Sequence, residues 1–474
     1  MTIPTFAVVG RPNKGKSSIV ATLARDESVI IAPTAGTTRK ARRFPMRIDD
    51  ELLYELVDTP GIQRARTVLT WLDDHNTDAA SRPETVRRFV EEHADNPDFK
   101  DEYHALKPII AGAGIIYVVD GSCPFSEEYG AEMEILRWSG RPSLALINPI
   151  DNDDFVDEWS AGLGQYFQTV RTFDAHRAEI HKQFDLLELF GHLDLEWREP
   201  LQHAVTALKD ERQRQHAQAC AEITDSIIES TGYKTEQSIL DGMPEEPVRK
   251  LLFAQYKKHL VNREQQCRKR VEELFNYSDL QKSEQKLALD DTELFDQKKW
   301  YLWGLSKRQM VTTAASVGGI VGGLVGAAIA LPTGGFFFPP AIGVAAAIGA
   351  AIGALVSAAI AWRYADGIGK IKVKGIPSGG KLLSYGPFTN KNFPFVLLGR
   401  ALLHHQLVSK RTHATQGKLD LDQPPIDWTD SIERKKLMRL FDGIKVGKKL
   451  AKRRAQLEAI VLDRCLSVDK VSAM

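Results

Sequence analysis

The sequence predicts an α/β fold in which a mostly parallel sheet is followed by an α-helical region. Short apolar runs at residues 6–9, 53–57, 115–119 and 144–147 alternate with helical patterns, which is typical of parallel strands covered by helices on both faces. A glycine-containing loop joins the first run directly to the first helix. After residue 185 the chain is rich in Glu, Gln, Lys, Arg, Leu and Ala with few glycines, which favours long helices.

The length and composition predict several folded domains in a reducing compartment. The chain has 474 residues, and a single core usually stops growing at about 250–300 residues. A hydrophobic content of 43% with 26% charged residues excludes wholesale disorder. No secretory signal pattern is expected at the start. The cysteines form no CxxC pair, so neither a disulfide framework nor a zinc site is expected; they are Cys123, Cys220, Cys267 and Cys465.

The charge is balanced overall but not along the chain. The 62 basic and 62 acidic residues give a net charge of zero, which argues against a protein that simply coats nucleic acid. Residues 1–185 carry 21 basic and 30 acidic residues, a net of −9, whereas residues 366–474 carry 21 and 10, a net of +11. The two ends are therefore expected to meet different partners.

The strongest motif follows the first apolar run. Residues 10–17 read Gly-Arg-Pro-Asn-Lys-Gly-Lys-Ser and match GxxxxGK[ST], between a predicted strand and a predicted helix. Glycines let the backbone curl around phosphates, and the loop amides with the helix N-terminus face the anion. Lys16 is expected to reach the β- and γ-phosphates, and the Ser17 hydroxyl to bind Mg²⁺.

Three further motifs follow in the order that a guanine-nucleotide site needs. Thr38, within Gly36-Thr-Thr-Arg39, is expected to give Mg²⁺ a second hydroxyl. In Asp58-Thr-Pro-Gly61, Asp58 is expected to hold the metal through water, and the Gly61 amide to sense the γ-phosphate. In Asn148-Pro-Ile-Asp151, the carboxylate of Asp151 can accept both N–H groups on the guanine edge, which favours GTP over ATP.

These motifs resemble those of the Era/EngA/TrmE branch of translation-factor-like P-loop GTPases. The resemblance covers about residues 3–180 and implies a GTPase domain that uses GTP or GDP with Mg²⁺. The architecture also resembles a bacterial group that joins such a domain to a C-terminal domain of unknown function with an apolar segment. The expected parts are a GTP-binding (G) domain at 1–185, a helical stalk or bundle at 186–306, an apolar glycine-rich hairpin at 307–365 and a basic, mostly helical domain at 366–474.

The sequence departs from the branch at several points. Pro149 replaces the lysine whose stem would cover the base, and Lys40 stands where an aspartate often follows Gly-Thr-Thr-Arg. The last guanine-contacting loop is expected at residues 172–175, with the Ala175 amide toward the base. About 45 residues, Gln63–Lys107, separate Asp-Thr-Pro-Gly from the next strand and are expected to elaborate switch II.

The residue after Gly61 affects the expected rate of hydrolysis. Ile62 cannot orient water as a glutamine would, so hydrolysis is expected to be slow without potassium, dimerisation or a partner. The resemblance implies that Asn13 can bind K⁺ beside the phosphates, with support of the loop as the alternative. The expected catalytic residues are Lys16, Thr38 and Gly61, and the expected Mg²⁺ ligands are Ser17, Thr38 and Asp58. The nucleotide-binding set is Gly10, Asn13, Lys14, Gly15, Lys16, Ser17, Ser18, Asp58, Gly61, Asn148, Asp151 and Ala175.

An apolar stretch predicts a membrane hairpin. No charged residue lies between Arg308 and Arg363, and two arms of about 20 residues flank a Pro/Gly/Phe turn. Small residues at four-residue spacing and aromatic and basic flanks are typical of paired membrane helices. The alternatives are a buried core hairpin, or one that is sheltered and released on GTP binding. The adjacent pair His404-His405 is expected to be structural, not metal-binding.

The combined expectation is a membrane-associated molecular switch that hydrolyses GTP to GDP and phosphate. Residues 309–362 and ten basic residues between 431 and 454 would hold it on the cytoplasmic side of the inner membrane. A homodimer through the G domain is a further option. Two alternatives stay open: a ribosome- or RNA-associated Era-like GTPase, for which RNA ranks below the membrane as partner, and a dynamin-type membrane-remodelling GTPase.

Overall fold

The computed structural model describes two compact units. It covers residues 2–26, 28–29, 40–277, 294, 371–376, 380–415 and 431–471. The first unit contains the described residues up to 215 together with 409–415. The second contains the described residues of 216–408 and 431–471. The division into the four predicted parts remains a prediction.

The first unit is built on a six-stranded sheet in the order β2-β3-β1-β4-β5-β6, in which only β2 runs antiparallel to its neighbour. This confirms the predicted mostly parallel sheet. The strands are β1 Thr5–Val9, β2 Arg42–Ile48, β3 Glu51–Asp58, β4 Gly114–Asp120, β5 Ser143–Asn148 and β6 Val170–Thr172. The helices are α1 Lys16–Ala24, α2 Ala65–His75, α3 Arg82–Glu92, α4 Lys100–Ile110, α5 Gly130–Trp138, α6 Val156–Leu163, α7 Ile180–Leu193 and the beginning of α8, Leu195–Gly232.

Helices cover both faces of this sheet, which is why its central strands are continuously apolar. All seven residues of β4 are buried. Alternate residues of β1 enter opposite cores: Phe6 and Val8 pack with α1 and α7, whereas Ala7 and Val9 pack with α2, α4 and α5. The sheet is therefore fixed from both sides, and its loops are held at defined positions.

The long segment between Asp-Thr-Pro-Gly and β4 is folded as three helices, α2, α3 and α4. Val68, Leu72, Phe89 and Leu106 on these helices are fully buried in one core. The apolar positions recur at helical spacing, so each helix presents one face to that core. The predicted elaboration of switch II thus contains two helices, α2 and α3, before the helix that leads into β4.

The second unit is mainly helical and carries a small antiparallel sheet that the sequence reading did not anticipate. Strand order is β7-β9-β8, formed by β7 Thr235–Ile239, β8 Ile371–Gly375 and β9 Lys381–Tyr385. Each strand has only five residues, and β7 pairs with a strand more than 140 residues later in the chain, so local patterns reveal little of it. The helices are the end of α8, α9 Glu245–Leu274, α10 Phe393–Lys410, α11 Ser431–Lys445 and α12 Leu450–Val471.

A buried polar network joins α9 to α10 inside the second unit. Arg400 is fully buried and donates from Nε to Glu264 Oε1 at 2.7 Å, and Arg268 pairs with the same carboxylate. Burial alone would raise the pKa of Glu264. The charges of Arg268 and Arg400 outweigh burial and hold this pKa below its ordinary value. Removal of one partner of such a pair typically costs about 3–5 kcal/mol, because a buried charge is left uncompensated.

The two adjacent histidines of α10 also lie in this network. His404 Nε2 is 3.0 Å from Glu272 Oε1, and His405 Nε2 is 3.0 Å from Nδ1 of His216. Both side chains are buried. They join α10 to α9 and α8, which is the structural role expected of them.

The predicted membrane localisation needs correction. No helix among the described residues has both the length and the apolar character needed to cross a bilayer. This finding contradicts the expected integral anchor on the cytoplasmic side of the inner membrane. The prediction rested on residues 307–365, which lie outside the described residues.

The buried His404 predicts an acid-sensitive second unit. Burial lowers the pKa of the His404 imidazole below its ordinary value, and Glu272 opposes this shift only in part. The unfolded chain therefore takes up a proton at about pH 6.5 that the folded unit does not. The stability from this group is present above about pH 6.5 and is lost as the pH falls, by at most about 1.4 kcal/mol per pH unit.

Urea unfolding at pH 7.5 and 5.5 measures this effect. We expect His404→Gln, which retains a donor for Glu272 but cannot titrate, to lose less stability on acidification than the unmodified protein. The matched control is His203→Gln, at an exposed histidine of the first unit. An equal pH dependence in all three proteins would contradict the prediction.

Candidate nucleotide-binding site

The predicted motifs meet at one edge of the first sheet. The loop after β1, Asp58 at the end of β3, Asp120 at the end of β4 and Asn148 at the end of β5 all follow the carboxyl ends of parallel strands. In open parallel sheets this edge is the usual ligand crevice. The candidate site is therefore placed by the sheet topology.

The loop of residues 10–15 has the backbone shape of a phosphate cradle. Gly10, Asn13 and Gly15 have positive φ values of 143°, 60° and 84°. A Cβ atom at Gly10 would collide with the carbonyl oxygen of Val118, and one at Gly15 with the side chain of Asn148. Glycine is therefore required at both positions by backbone conformation and by space.

Lys16 is buried at the start of α1. Its Nζ donates to the carbonyl oxygen of Arg11 at 2.8 Å, within its own loop. Burial lowers the pKa of Lys16 to about 8, and the charge of Asp58 opposes that shift. Burial disfavours the charged form of Lys16. A phosphate group in the loop would be an anionic partner that stabilises this charged form.

Two of the three predicted magnesium ligands, Ser17 and Asp58, lie next to each other. Ser17 Oγ donates to Asp58 Oδ2 at 2.9 Å, and Asp58 is buried at the end of β3. A hydroxyl and a carboxylate are oxygen donors of the kind that Mg²⁺ prefers, and Mg²⁺ usually keeps several waters beside one or two such groups. These two oxygen donors therefore fit Mg²⁺. Asp58 would bind the ion either directly or through a water molecule.

Asp-Thr-Pro-Gly packs directly on the phosphate loop. A Cβ atom at Gly61 would lie 2.6 Å from Cδ of Pro12, so only glycine permits this approach. Thr59 Oγ1 donates to the carbonyl oxygen of Val8 at 2.7 Å and fixes the loop to β1. The Gly61 region is thus held beside the position expected for the γ-phosphate.

The residues after Gly61 are fixed from the other side by α4. Ile62 is 2% exposed and lies in the core. The buried carboxylate of Glu102 accepts from the backbone amides of Gln63 at 2.9 Å and Arg64 at 2.7 Å. Gln63 Nε2 donates to Asp101, so its side chain is directed to α4. Glu102 therefore links the backbone that follows Gly61 to α4.

Asn148 connects the phosphate loop to the loop predicted to contact guanine. Its Nδ2 donates to the carbonyl oxygen of Lys14 at 3.4 Å, and its Oδ1 accepts from the Ala175 amide at 3.1 Å. The sequence predicts that the Ala175 amide faces the base, whereas in the structure this amide donates to Asn148. Asp151 is exposed on the same edge, where its carboxylate is accessible to a base.

Motif reasoning missed the residues that support the phosphate loop. Arg11 Nε donates to the buried Glu132 at 2.6 Å, and Tyr117 donates to the same carboxylate at 3.2 Å. Lys14 Nζ lies 3.3 Å from Asp120 Oδ2. These partners are 106 and 121 residues beyond the loop and belong to no motif, so only the fold reveals them.

Not every predicted site residue can be placed. Thr38 and the rest of Gly36-Thr-Thr-Arg39 lie outside the described residues. Ser18 is buried in α1, and Asn13 is exposed. The roles of all the site residues, including potassium binding by Asn13, remain predictions.

Two family models match the chain. Residues 5–149 match a family described as 50S ribosome-binding GTPase. Residues 161–459, more than half of the chain, match the family described as Domain of unknown function (DUF3482). The chain belongs to the DUF3482 family. Its N-terminal part matches the GTPase model, which confirms the predicted resemblance and the fusion to a domain of unknown function.

Curated GTPases named Der match parts of the chain. GTPase Der from Aquifex aeolicus is 48% identical over 62 residues, 13% of this chain and 14% of the relative. GTPase Der from Mycoplasma pneumoniae is 30% identical over 147 residues, 31% of this chain and 27% of the relative. GTPase Der from Helicobacter hepaticus is 24% identical over 244 residues, which is 50% of this chain and 42% of the relative. The chain spans less than half the length of these relatives.

Solved structures of GTPases also align with the chain. An Aquifex aeolicus Era variant bound to GDP·AlF4⁻ has 17% sequence identity and a TM-score of 0.27, and covers 58% of this chain and 90% of its own. An S. thermophilus NFeoB variant bound to GMPPNP has 13% identity and a TM-score of 0.25. The alignment covers 58% of this chain and 93% of that protein's chain. The fold assignment rests on the sheet topology and the family models.

The exposed carboxylate of Asp151 predicts the base preference of the site. Replacement Asp151→Asn turns one acceptor into a donor, which matches the carbonyl oxygen that xanthine carries where guanine has an amino group. We expect GDP affinity to fall about 10- to 100-fold and XDP affinity to rise, as measured by competition with a fluorescent nucleotide.

Asp153→Asn, at an exposed carboxylate two residues away, is the matched control for this change. We expect it to leave both affinities unchanged. Unaltered GDP binding by Asp151→Asn would mean that another group reads the guanine edge.

Proposed function

We propose that the protein binds GTP with Mg²⁺ and hydrolyses it to GDP and phosphate as a molecular switch. The observation that carries this proposal is the placement of Ser17 Oγ 2.9 Å from Asp58 Oδ2, beside the buried Lys16 and the closely packed Gly61. One hydroxyl, one carboxylate, one ammonium and one backbone amide thus meet where the β- and γ-phosphates of GTP would lie. Mg²⁺, when bound, would neutralise charge on these phosphates.

GTP would change the contacts of Lys16 and Gly61. The Lys16 ammonium would leave the Arg11 carbonyl for the β- and γ-phosphates, and the Gly61 amide would donate to the γ-phosphate. After hydrolysis that second contact is lost. Because Glu102 holds the amides of residues 63 and 64, the change at Gly61 would pass to α2, α3 and α4.

The chain supplies no water-orienting side chain immediately after Gly61. Ile62 is buried, and Gln63 is bonded to Asp101. Hydrolysis is therefore proposed to need a further group, either K⁺ beside Asn13 or a partner protein.

Removal of the Lys16 ammonium tests the proposal. We expect Lys16→Ala to abolish GTP hydrolysis and to weaken GTP binding, because the γ-phosphate loses its buried cation. Phosphate release in potassium buffer with Mg²⁺ gives the rate, and equilibrium binding of a fluorescent GTP analogue gives the affinity. An unimpaired Lys16→Ala variant would refute the site.

The control for this assay is Lys250→Ala, at an exposed lysine of the second unit. We expect its rate to match that of the unmodified protein. In sodium buffer the unmodified protein should turn over more slowly, and equal rates in the two salts would rule out the role of K⁺.

Ribosomal or other RNA is a second candidate partner, favoured by a basic surface on α11 and α12. Three of the ten basic residues predicted to form a charged tail have internal partners: Arg434 donates to Asn392, Arg453 to the Arg439 carbonyl and Arg454 to Asp225. Six others are exposed, and none has an ion-pair partner in the described part of the chain; they are Lys435, Lys436, Arg439, Lys448, Lys449 and Lys452. Such a surface suits the phosphate groups of RNA.

Sedimentation with ribosomes tests this candidate. We expect binding to fall steeply as salt is raised, and to be lost when Lys435, Lys436, Lys448 and Lys449 are all changed to Gln. The control changes Lys209, Lys250, Lys258 and Lys269 to Gln, on other helices. Equal sedimentation of both variants would exclude this surface as the RNA contact.

A further inference from the structure

A short segment from the C-terminal half of the chain lies against the guanine-contacting loop. Residues 409–415 follow directly on the part of α10 that belongs to the second unit, yet they belong to the first unit with residues 1–215. Ala414 is fully buried in the same core cluster as Ala175 and Ala178. The core beneath the guanine loop is therefore completed by a residue some 240 positions further along the chain.

Two threonine hydroxyls of this segment converge on the carbonyl group of His176, the residue that directly follows the guanine-contacting loop. Thr412 Oγ1 donates to the His176 carbonyl oxygen at 3.1 Å, and Thr415 Oγ1 donates to the same atom at 3.0 Å. Thr412 is only 3% exposed, so water competes little for this bond. The two donors use both lone pairs of the carbonyl oxygen.

The same loop is bonded on its other side to the nucleotide site. The Ala175 amide donates to Asn148 Oδ1, and the Ala175 carbonyl accepts from Thr22 of α1 at 2.8 Å. The planar peptide bond between residues 175 and 176 lies between these bonds and the two threonines. A displacement of the threonine segment would therefore shift the backbone that faces the base.

The threonine segment is itself held at both ends. Arg212 Nη2 of α8 donates to the Ser409 carbonyl at 2.6 Å, at the C-terminus of α10. Arg411 Nη2 donates to the Thr415 carbonyl at 2.7 Å and closes the turn. Cationic donors at a helix C-terminus satisfy carbonyl groups that have no partner within the helix.

We propose that Thr412 and Thr415 form a clamp that positions the guanine-contacting loop, and that nucleotide binding and the order of α10 are thermodynamically coupled through it. The proposal rests on the proposed function, since it requires that the loop of residues 172–175 contacts the base. Coupling of this kind is reciprocal: if the clamp strengthens guanine binding, guanine binding strengthens the clamp. The segment of residues 409–415 thereby contributes to guanine specificity from within the first unit.

The double variant Thr412→Val/Thr415→Val tests the clamp in the full chain, because valine keeps the shape of threonine and removes the hydroxyl. We expect GDP affinity to fall about tenfold and pyrophosphate, which occupies the phosphate loop without a base, to bind as before. The double variant Thr412→Ser/Thr415→Ser restores both donors and should restore GDP affinity. Thr206→Val, at a hydroxyl that bonds only to the Gln202 carbonyl within α8, is the control.

Hydrogen exchange of residues 393–410 provides the reciprocal readout. We expect GDP to slow exchange there in the unmodified protein and not in the valine variant. Unchanged GDP affinity in the valine variant would contradict the clamp and leave the proposed function intact. An equal loss of GDP and pyrophosphate binding would also contradict the clamp, because it would show that the substitutions disturb folding in general. Failure of the unmodified protein to bind GDP would instead overturn the proposed function.

Discussion

The buried amide of Asn148 is the contact on which the geometry of the site depends. It bonds the phosphate loop at the Lys14 carbonyl and the guanine loop at the Ala175 amide, and it is fully buried. A side-chain amide can do this because it offers a donor and an acceptor in one plane. The absence of a Cβ atom at Gly15 makes room for it. Asn148 therefore fixes the separation of these two loops.

Two further buried carboxylates fix the backbone and side chains around the phosphate loop. Glu132 fixes Arg11 from α5, and Glu102 fixes the backbone after Gly61 from α4. Burial raises the pKa of Glu132, and Arg11 opposes that effect. Both carboxylates sit on helices packed against the inserted pair α2 and α3. The helices α2 and α3 thus share one apolar core with α4 and α5, the helices that carry these two carboxylates.

The sequence was sufficient to predict the parallel sheet, the phosphate loop and the family resemblance, because each depends on local patterns. Gly10, Gly15 and Asp58 stand at short, fixed distances from strand ends, and such spacing is visible in one chain. Glu102, Glu132 and Thr412 could not be predicted, since their importance arises from contacts across 38, 121 and 236 residues. The small sheet of the second unit was missed for the same reason. The expected membrane anchor was inferred from the apolar segment at 307–365 alone, and the described helices contradict it.

The burial of Ala414 bears on how the protein is made. A chain that leaves the ribosome in order exposes the guanine loop long before residues 409–415 are available. Until they emerge, the core next to Ala175 lacks one of its members and the His176 carbonyl lacks its two threonine donors. The contacts of the loop at residues 172–176 are thus completed only when most of the chain has been synthesised. A fragment that ends before residue 409 would carry every nucleotide motif and still lack these contacts.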